Sequence, residues 1–148
     1  MVRRDLKLWM GVAGFAVLVV ALTVISLTRE PGGCDVGEVE AGAAAFHLFV
    51  SNQSFEIDPV RIDVMIDGRR VICQEFFVEG QHNWVQFDYQ LDGGVHTLNA
   101  IAHEVNVETE IFFDMRDRER WGVLNFWSSP DEEQTFTFDM FDEPVGFD

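Results

Sequence analysis

The chain of 148 residues carries 26 acidic and only 10 basic side chains, which gives a formal net charge of −16. This charge disfavours nucleic acid and anionic membrane surfaces as partners, because no basic stripe is present to neutralise phosphates. Hydrophobic residues make up 47% of the chain, and it contains 14 phenylalanines, so the composition excludes an intrinsically disordered protein.

The first predicted element is a membrane helix. Residues 8–27 are twenty apolar or small residues without a charge, and at about 1.5 Å per residue a helix of this length crosses a hydrocarbon core of about 30 Å. Arg3, Arg4 and Lys7 precede it, and basic residues that flank a first helix stay in the cytoplasm. We therefore predict cytoplasmic residues 1–7, a transmembrane helix over residues 8–28 and a single-pass protein of the cell membrane whose C-terminal domain is extracellular.

Other uses of this segment stay open. A cleaved signal peptide is one and lipidation of Cys34 is another, but the apolar run is long and no small-x-small cleavage site follows it, which favours an uncleaved signal-anchor. Gly11 and Gly14 form a small-residue strip against which a second helix could pack. An accessory or structural subunit of a membrane complex is therefore an alternative function.

The charge is concentrated after the apolar run. Residues 30–148 hold 25 of the acidic residues and six of the basic ones, all arginine, which gives −19. A domain this acidic repels itself in dilute buffer, whereas about 1 M salt shortens the screening length to about 3 Å. Such a composition resembles that of halophilic surface proteins from haloarchaea. The rival explanation is a GC-rich genome in which arginine replaces lysine.

The remainder of the chain predicts a linker and one all-β domain. Residues 29–44 are rich in glycine and alanine and predict the linker, so the extracytoplasmic domain spans residues 45–148. Apolar residues then recur at every second position, most clearly at Val60, Ile62, Val64 and Ile66. The expected strands cover residues 45–50, 60–66, 71–78, 85–91, 95–102, 107–115, 121–127 and 133–140. Short strands at this spacing predict a single immunoglobulin-like β-sandwich of about 7–8 strands.

Two turn signals divide these strands. Asp67-Gly68 predicts a hairpin between the second and third strands, and Asp92-Gly93-Gly94 predicts another tight turn. The patterns Ile66-Asp67-Gly68 and Gly94-Val95-His96-Thr97-Leu98 loosely resemble hairpins of small surface modules such as PEGA-type domains. The defining residues of those domains and the cysteine–tryptophan–cysteine signature of immunoglobulins are absent, so no family is assigned.

Cys34 and Cys73 are the only cysteines, and both belong to the predicted exterior, where disulfides persist. A bridge between them would tie the linker to the third strand and close a loop of about 38 residues, worth about 4 kcal/mol on the chain-entropy model. One buried thiol and one free thiol are the alternative. We predict the disulfide.

No metal, cofactor or catalytic centre is predicted. The histidines and Glu104 match no zinc-ligand spacing, and structural roles are expected for His47, His82, His96 and His103. The carboxylates that could converge on calcium lack an EF-hand spacing; they are Asp67, Asp92, Asp139, Asp142 and Glu143. A carboxylate-dependent hydrolase using acids such as Asp114 and Asp117 is a remote alternative, because no Gly-x-Ser-x-Gly or phosphate-binding loop occurs.

Aromatic residues are the main candidate for function. Trp84, Trp121 and Trp127, with Phe126, fall near predicted strand ends. The simplest expectation is that these rings fill the core, but on the surface they could stack sugars or anchor a protein partner. Asn52-Gln53-Ser54 is a possible glycosylation site in an exterior domain. The sequence thus predicts a non-enzymatic binding or interaction module with a protein or glycan partner.

Overall fold

Alternation of apolar and polar residues builds the fold. The computed structural model describes residues 34–38, 42–78 and 83–147, and these contain strands but no helix. The eight strands agree closely with the predicted positions. They are β1 Ala44–Asn52, β2 Val60–Ile66, β3 Arg69–Phe76, β4 Val85–Leu91, β5 Val95–Ala102, β6 Val107–Asp114, β7 Arg120–Ser129 and β8 Glu132–Phe141.

The strands divide into two four-stranded sheets that form a β-sandwich. Sheet A has the order β4-β1-β7-β8 and sheet B has the order β3-β2-β5-β6. Neighbouring strands are antiparallel except β1 and β7, which run parallel with Phe46 opposite Arg120. The prediction of an all-β fold is therefore confirmed for the described residues.

The core lies between the two sheets and is formed by one side of each strand. The predicted inward face of β2, from Val60 to Ile66, is fully buried at every second position. Phe46, Leu48 and Phe126 bury equally completely from sheet A. Each such side chain stabilises the fold by about 1.5–3 kcal/mol relative to its exposed state.

The two predicted turns connect consecutive strands in different ways, one within a sheet and one between the two sheets. Asp67 and Gly68 have φ values of 49° and 76° and connect β2 to β3 as a hairpin, as predicted. Asp92-Gly93-Gly94 instead carries the chain from β4 in sheet A to β5 in sheet B. Leu91, the last residue of β4, is buried at 1% exposure, so the chain turns across the edge of the core at this point.

The two sequence patterns that contain Asp67 and His96 meet in space. The Thr97 amide donates to Asp67 Oδ1 over 2.9 Å, and the Asp67 amide donates to the Thr97 carbonyl over 2.9 Å. His96 donates from Nδ1 to Asp67 Oδ2 at 2.7 Å and from Nε2 to the Asp92 carbonyl at 2.8 Å. The histidine therefore locks the β2–β3 turn to the start of β5, which is a structural role.

The predicted disulfide between Cys34 and Cys73 is present, with 5.5 Å between the two Cα atoms. Beside it, the Gly37 amide donates to the Arg70 carbonyl at 2.8 Å, and Arg69 Nη1 donates to the Glu38 carbonyl at 3.2 Å. Residues 34–38 of the predicted linker are therefore fastened to β3, the edge strand of sheet B.

Several predicted features lie outside the described residues. They are the cytoplasmic segment 1–7, the transmembrane helix over residues 8–28 with Gly11 and Gly14, and His82. Within the described ranges, no helix has the length and apolar character needed to cross a membrane.

Candidate functional site

The candidate site is the outer face of sheet A, on which three tryptophans lie. In β7, Leu124 and Phe126 point into the core with 0% exposure, so Trp121, Asn125 and Trp127 face outward. Trp84, just before β4, lies against the same face, because its Nε1 donates to Asn125 Oδ1 over 2.9 Å. The expectation that the tryptophans fill the core is therefore wrong, and only their neighbour Phe126 does so.

A strip of polar side chains orients two of these rings. Asn125 Oδ1 accepts from both Trp84 Nε1 at 2.9 Å and Ser51 Oγ at 2.7 Å. Trp127 Nε1 donates to Thr137 Oγ1 at 3.1 Å, and Asn125 Nδ2 makes a weak 3.5 Å contact with the same oxygen. Both indole N–H groups point to one Asn125–Thr137 strip, so the ring faces are held before any ligand arrives.

Beyond this strip the face opens into a groove of about 540 Å³. Two aromatic rings border it, Phe55 with 67% of its surface exposed and Trp127 with 38%. Its other lining residues carry hydroxyl or carboxylate groups: Ser128, Ser129, Asp131, Glu132, Glu133, Thr135 and Thr137. Such a groove can stack a flat apolar ring and hydrogen-bond hydroxyl groups, and its carboxylates repel anions.

The middle of the face is covered by the C-terminal end of the described chain. Phe147 stacks on Trp84 with ring centroids 4.2 Å apart and planes 13° apart, and it meets Phe49 edge-on at 5.1 Å. Val123 faces outward from β7 between these positions and yet has only 7% exposure. Residues 142–147 thus lie over an apolar part of the face.

At the opposite end of the face, His47 and Trp121 stack with centroids 5.4 Å apart. His47 donates from Nδ1 to Asp88 at 2.6 Å and from Nε2 to Glu119 at 2.8 Å. Burial lowers the pKa of His47, but the hydrogen bonds and charges of these two carboxylates outweigh it, so the pKa is raised above its ordinary value. Both ring nitrogens can donate only in the imidazolium form, which agrees with that direction.

This pair of contacts predicts a pH-dependent stability. Because the folded pKa of His47 is raised, its contribution is fully present below the unfolded pKa of 6.5 and is lost as the pH rises through the folded value. His96 has a raised pKa as well, since its bonds to Asp67 and the Asp92 carbonyl outweigh its burial. The melting temperature should therefore fall between pH 6 and pH 8.5, as measured by circular dichroism.

The variant His47→Gln should reduce this fall in melting temperature with pH, and adding His96→Gln should reduce it further. Asp67 and Asp88 have lowered pKa values, and their titration changes the stability of the fold only below the ordinary value of 3.8. They therefore do not affect the melting temperature between pH 6 and pH 8.5. A double variant with the full wild-type slope would contradict the assignment.

A second polar cluster lies on sheet B beside the disulfide. The Asp63 carboxylate, with 2% side-chain exposure, lies 3.2 Å from Arg70 Nε, 3.1 Å from His103 Nε2 and 3.6 Å from Arg61 Nε. Arg61 Nη2 also lies 3.1 Å from Cys73 Sγ. The carboxylate is closed from solvent and lies beside two guanidinium groups and the His103 ring, so the cluster stabilises the fold.

Two of the carboxylates considered for metal binding form ion pairs with other side chains. Asp67 pairs with His96, and Asp142 pairs with Arg116, Arg118 and Arg120 at the end of β8. Across residues 34–38, 42–78 and 83–147, no group of three or more histidine, cysteine, aspartate or glutamate side chains is arranged to hold a metal ion.

Asn52 is placed where glycosylation is disfavoured. It is 2% exposed, and its Nδ2 donates to the Ile57 carbonyl at 2.8 Å and the Phe76 carbonyl at 3.1 Å. Its Oδ1 accepts from the Ser54 amide at 2.9 Å. A glycan on Nδ2 would replace one of its two N–H donors, which breaks one of the first two bonds, and would have to leave a closed site. The side chain instead joins the end of β1 to the end of β3.

The chain matches no protein-family model, no curated protein and no solved structure. Function is therefore inferred from the geometry of sheet A. Sequence reasoning selected Trp84, Trp121 and Trp127 but missed Phe55 and Phe147. Within the polar strip, the position of Asn125 could have been predicted from the sequence, because strict alternation in β7 puts it on the same side as Trp127.

Proposed function

We propose that this protein is a non-enzymatic binding module that takes a neutral glycan chain on the outer face of sheet A. One observation carries the proposal: Trp84, Trp121 and Trp127 share that face, and the amide of Asn125 and the hydroxyl of Thr137 lie beside two of them. Tryptophan offers a flat apolar surface for the C–H face of a pyranose, and hydroxyl, amide and carboxylate groups satisfy the sugar hydroxyls.

The charge and the polarity of the groove favour a neutral glycan over other partners. Asp131, Glu132 and Glu133 line it within a domain of strong negative charge, which disfavours anionic polysaccharides and acidic proteins. Protein-binding hot spots are centred on closely packed, fully desolvated anchors. Here the groove is open, and hydroxyl groups at Thr135 and Thr137 stand beside the Trp127 ring. These features favour a glycan over a protein as the ligand.

The proposal places the domain outside the cell on a single-pass anchor. The apolar run of residues 8–27, the basic residues before it and the Cys34–Cys73 disulfide support this location, since disulfides persist in oxidising compartments. The sandwich is proposed to be immunoglobulin-like, on the basis of its size and its two antiparallel-dominated sheets. The acidic composition supports a salt-adapted cell surface.

The direct test uses affinity gel electrophoresis in starch, mixed-linkage β-glucan and galactomannan at high salt. The wild-type domain should be retarded by at least one of these neutral polysaccharides. Trp127→Ala should weaken that binding about tenfold or more, because loss of an aromatic anchor costs more than about 1.4 kcal/mol.

Phe112→Ala is the matched control, because this ring is 67% exposed on sheet B, away from the proposed face. It should bind as the wild type does. Absence of retardation in all three polysaccharides, together with capture of a single protein by the same face, would replace the glycan proposal by a protein-binding one.

Salt adaptation makes a separate prediction. The outer charge of −19 should destabilise the domain at low ionic strength, so its melting temperature should rise by several degrees between 0.1 M and 2 M KCl. Sucrose at equal osmolality is the control, because it does not screen charge. A melting temperature that is flat over this salt range would remove the argument for a halophilic source.

A further inference from the structure

The C-terminal tail, residues 142–147, crosses the outer face of sheet A from one edge to the other. It leaves β8 at Phe141, and its last described residue, Phe147, contacts Phe49 of β1 and Trp84 next to β4. Six extended residues reach about 20 Å, and three strand spacings of about 4.8 Å separate β8 from β4. The tail is therefore long enough to lie directly over β7 and β1.

The tail is held by few contacts. Asp142 is fixed at its start by arginines, but residues 143–147 make no hydrogen bond or ion pair with other described residues. Of these five residues only Val145 is half-buried, and Phe147 keeps 38% of its surface exposed. The ring of Phe147 is thus the main contact of the tail, and such a segment opens more easily than a paired strand.

The surface beneath Phe147 is formed without it. Trp84 is oriented by its hydrogen bond to Asn125, which also accepts from Ser51, and Phe49 projects from the central strand β1. Phe147 lies nearly parallel to the indole at 13°, the orientation in which a pyranose would present its apolar face. The slot between Phe49 and Trp84 therefore accepts a flat ring.

We propose that Phe49 and Trp84 form a second sugar-binding subsite and that Phe147 occupies it as an intramolecular competitor. This inference rests on the proposed glycan binding. A long neutral glycan seated in the groove at Trp127 would extend along the Asn125–Thr137 strip, since both indole N–H groups point to it, and would displace Phe147 from Trp84. A short saccharide fills only the groove and does not meet the tail.

The test compares the hexasaccharide and the disaccharide of the retained polysaccharide, titrated calorimetrically into the full chain. Phe147→Ala should bind the hexasaccharide about three- to tenfold more tightly than the wild type and the disaccharide equally well. Trp84→Ala should weaken the binding of the hexasaccharide and leave the binding of the disaccharide unchanged. The circular dichroism spectrum of this variant reports whether the sheet is retained. Phe112→Ala should match the wild type in both titrations.

Equal hexasaccharide affinity in Phe147→Ala and wild type would overturn the competitor role, whatever the effect of Trp84→Ala. A second outcome is that Trp127→Ala abolishes hexasaccharide binding while Phe147→Ala and Trp84→Ala leave it unchanged. That result would contradict the second subsite and still support the proposed function. No binding of either saccharide to wild type or to Phe147→Ala would reject the glycan function and the subsite together.

Discussion

Replacing Asp63 by alanine should lower the free energy of unfolding of the domain by about 2–3 kcal/mol. The carboxylate is enclosed by Arg61, Arg70 and His103, and its removal leaves the positive charges of the two arginines facing one another beside the disulfide. Breaking a buried ion pair from one side usually costs about 3–5 kcal/mol. The side chains of Arg61 and Arg70 are 32% and 38% exposed, so solvent reduces the loss. Urea denaturation followed by circular dichroism measures it.

Glu108→Ala is the matched control, since it removes an exposed carboxylate from β6 of the same sheet. Its effect should stay within about 0.5 kcal/mol, as for most surface substitutions. The loss of stability in Asp63→Asn should lie between those of Asp63→Ala and Glu108→Ala, because the amide keeps the shape of the side chain but loses its charge. Equal stability of the Asp63→Ala and Glu108→Ala variants would refute a stabilising role for the cluster.

Loss of the disulfide should have an effect of similar size. Cys73→Ser should lower the free energy of unfolding by about 2–4 kcal/mol, because the bridge joins residues separated by 39 positions and restricts the unfolded chain. The fold itself should survive, since the core between the sheets contains neither cysteine. Denaturant titration with and without reductant measures the loss.

Cys34→Ser and the double variant should lose no more than Cys73→Ser, because all three remove the same bond. Reductant should bring the wild type to the level of the variants and leave the variants unchanged. Labelling of both thiols in natively isolated, unreduced protein would show that the bridge does not form in the cell.

The strands of this fold could be predicted because their signal is local. Val60, Ile62, Val64 and Ile66 face the core on a strand whose bounds agree with the predicted residues 60–66. The alternation in β8 likewise places Phe136 inward and Thr135 and Thr137 outward, as expected from the sequence. Every strand was found within about three residues of its observed ends, because burial of one face imposes a period of two.

The pairing of the strands could not be predicted from the same signal. Asp92-Gly93-Gly94 has the composition of a hairpin turn, yet β4 and β5 belong to different sheets. A glycine-containing turn reverses the chain equally well within a sheet or between two sheets, and its residues do not distinguish the two cases. The parallel pairing of β1 with β7 depends on contacts far apart in sequence and carries no local pattern.

The candidate face was predicted only in part, for a related reason. Tryptophan is apolar enough to suit a core, so Trp121 and Trp127 were expected inside. In β7 the two tryptophans face outward, because alternation gives the inward positions to Leu124 and Phe126. Phe147 follows Pro144 and Gly146 in a segment without periodicity, so nothing in the local sequence indicates that its ring packs on Trp84.

The position of β1 between β4 and β7 has a consequence for how the chain is made. Ser51 and Asn125, which face each other on β1 and β7, are 74 positions apart, so the ribosome completes β7 long after β1. During that interval one edge of β1 has unpaired N–H and C=O groups, next to the apolar side chains of Phe46 and Leu48, and can pair with other chains. Stable folding of sheet A therefore follows synthesis of nearly the whole domain, and a nascent chain that stalls before residue 120 is a substrate for chaperones and proteases.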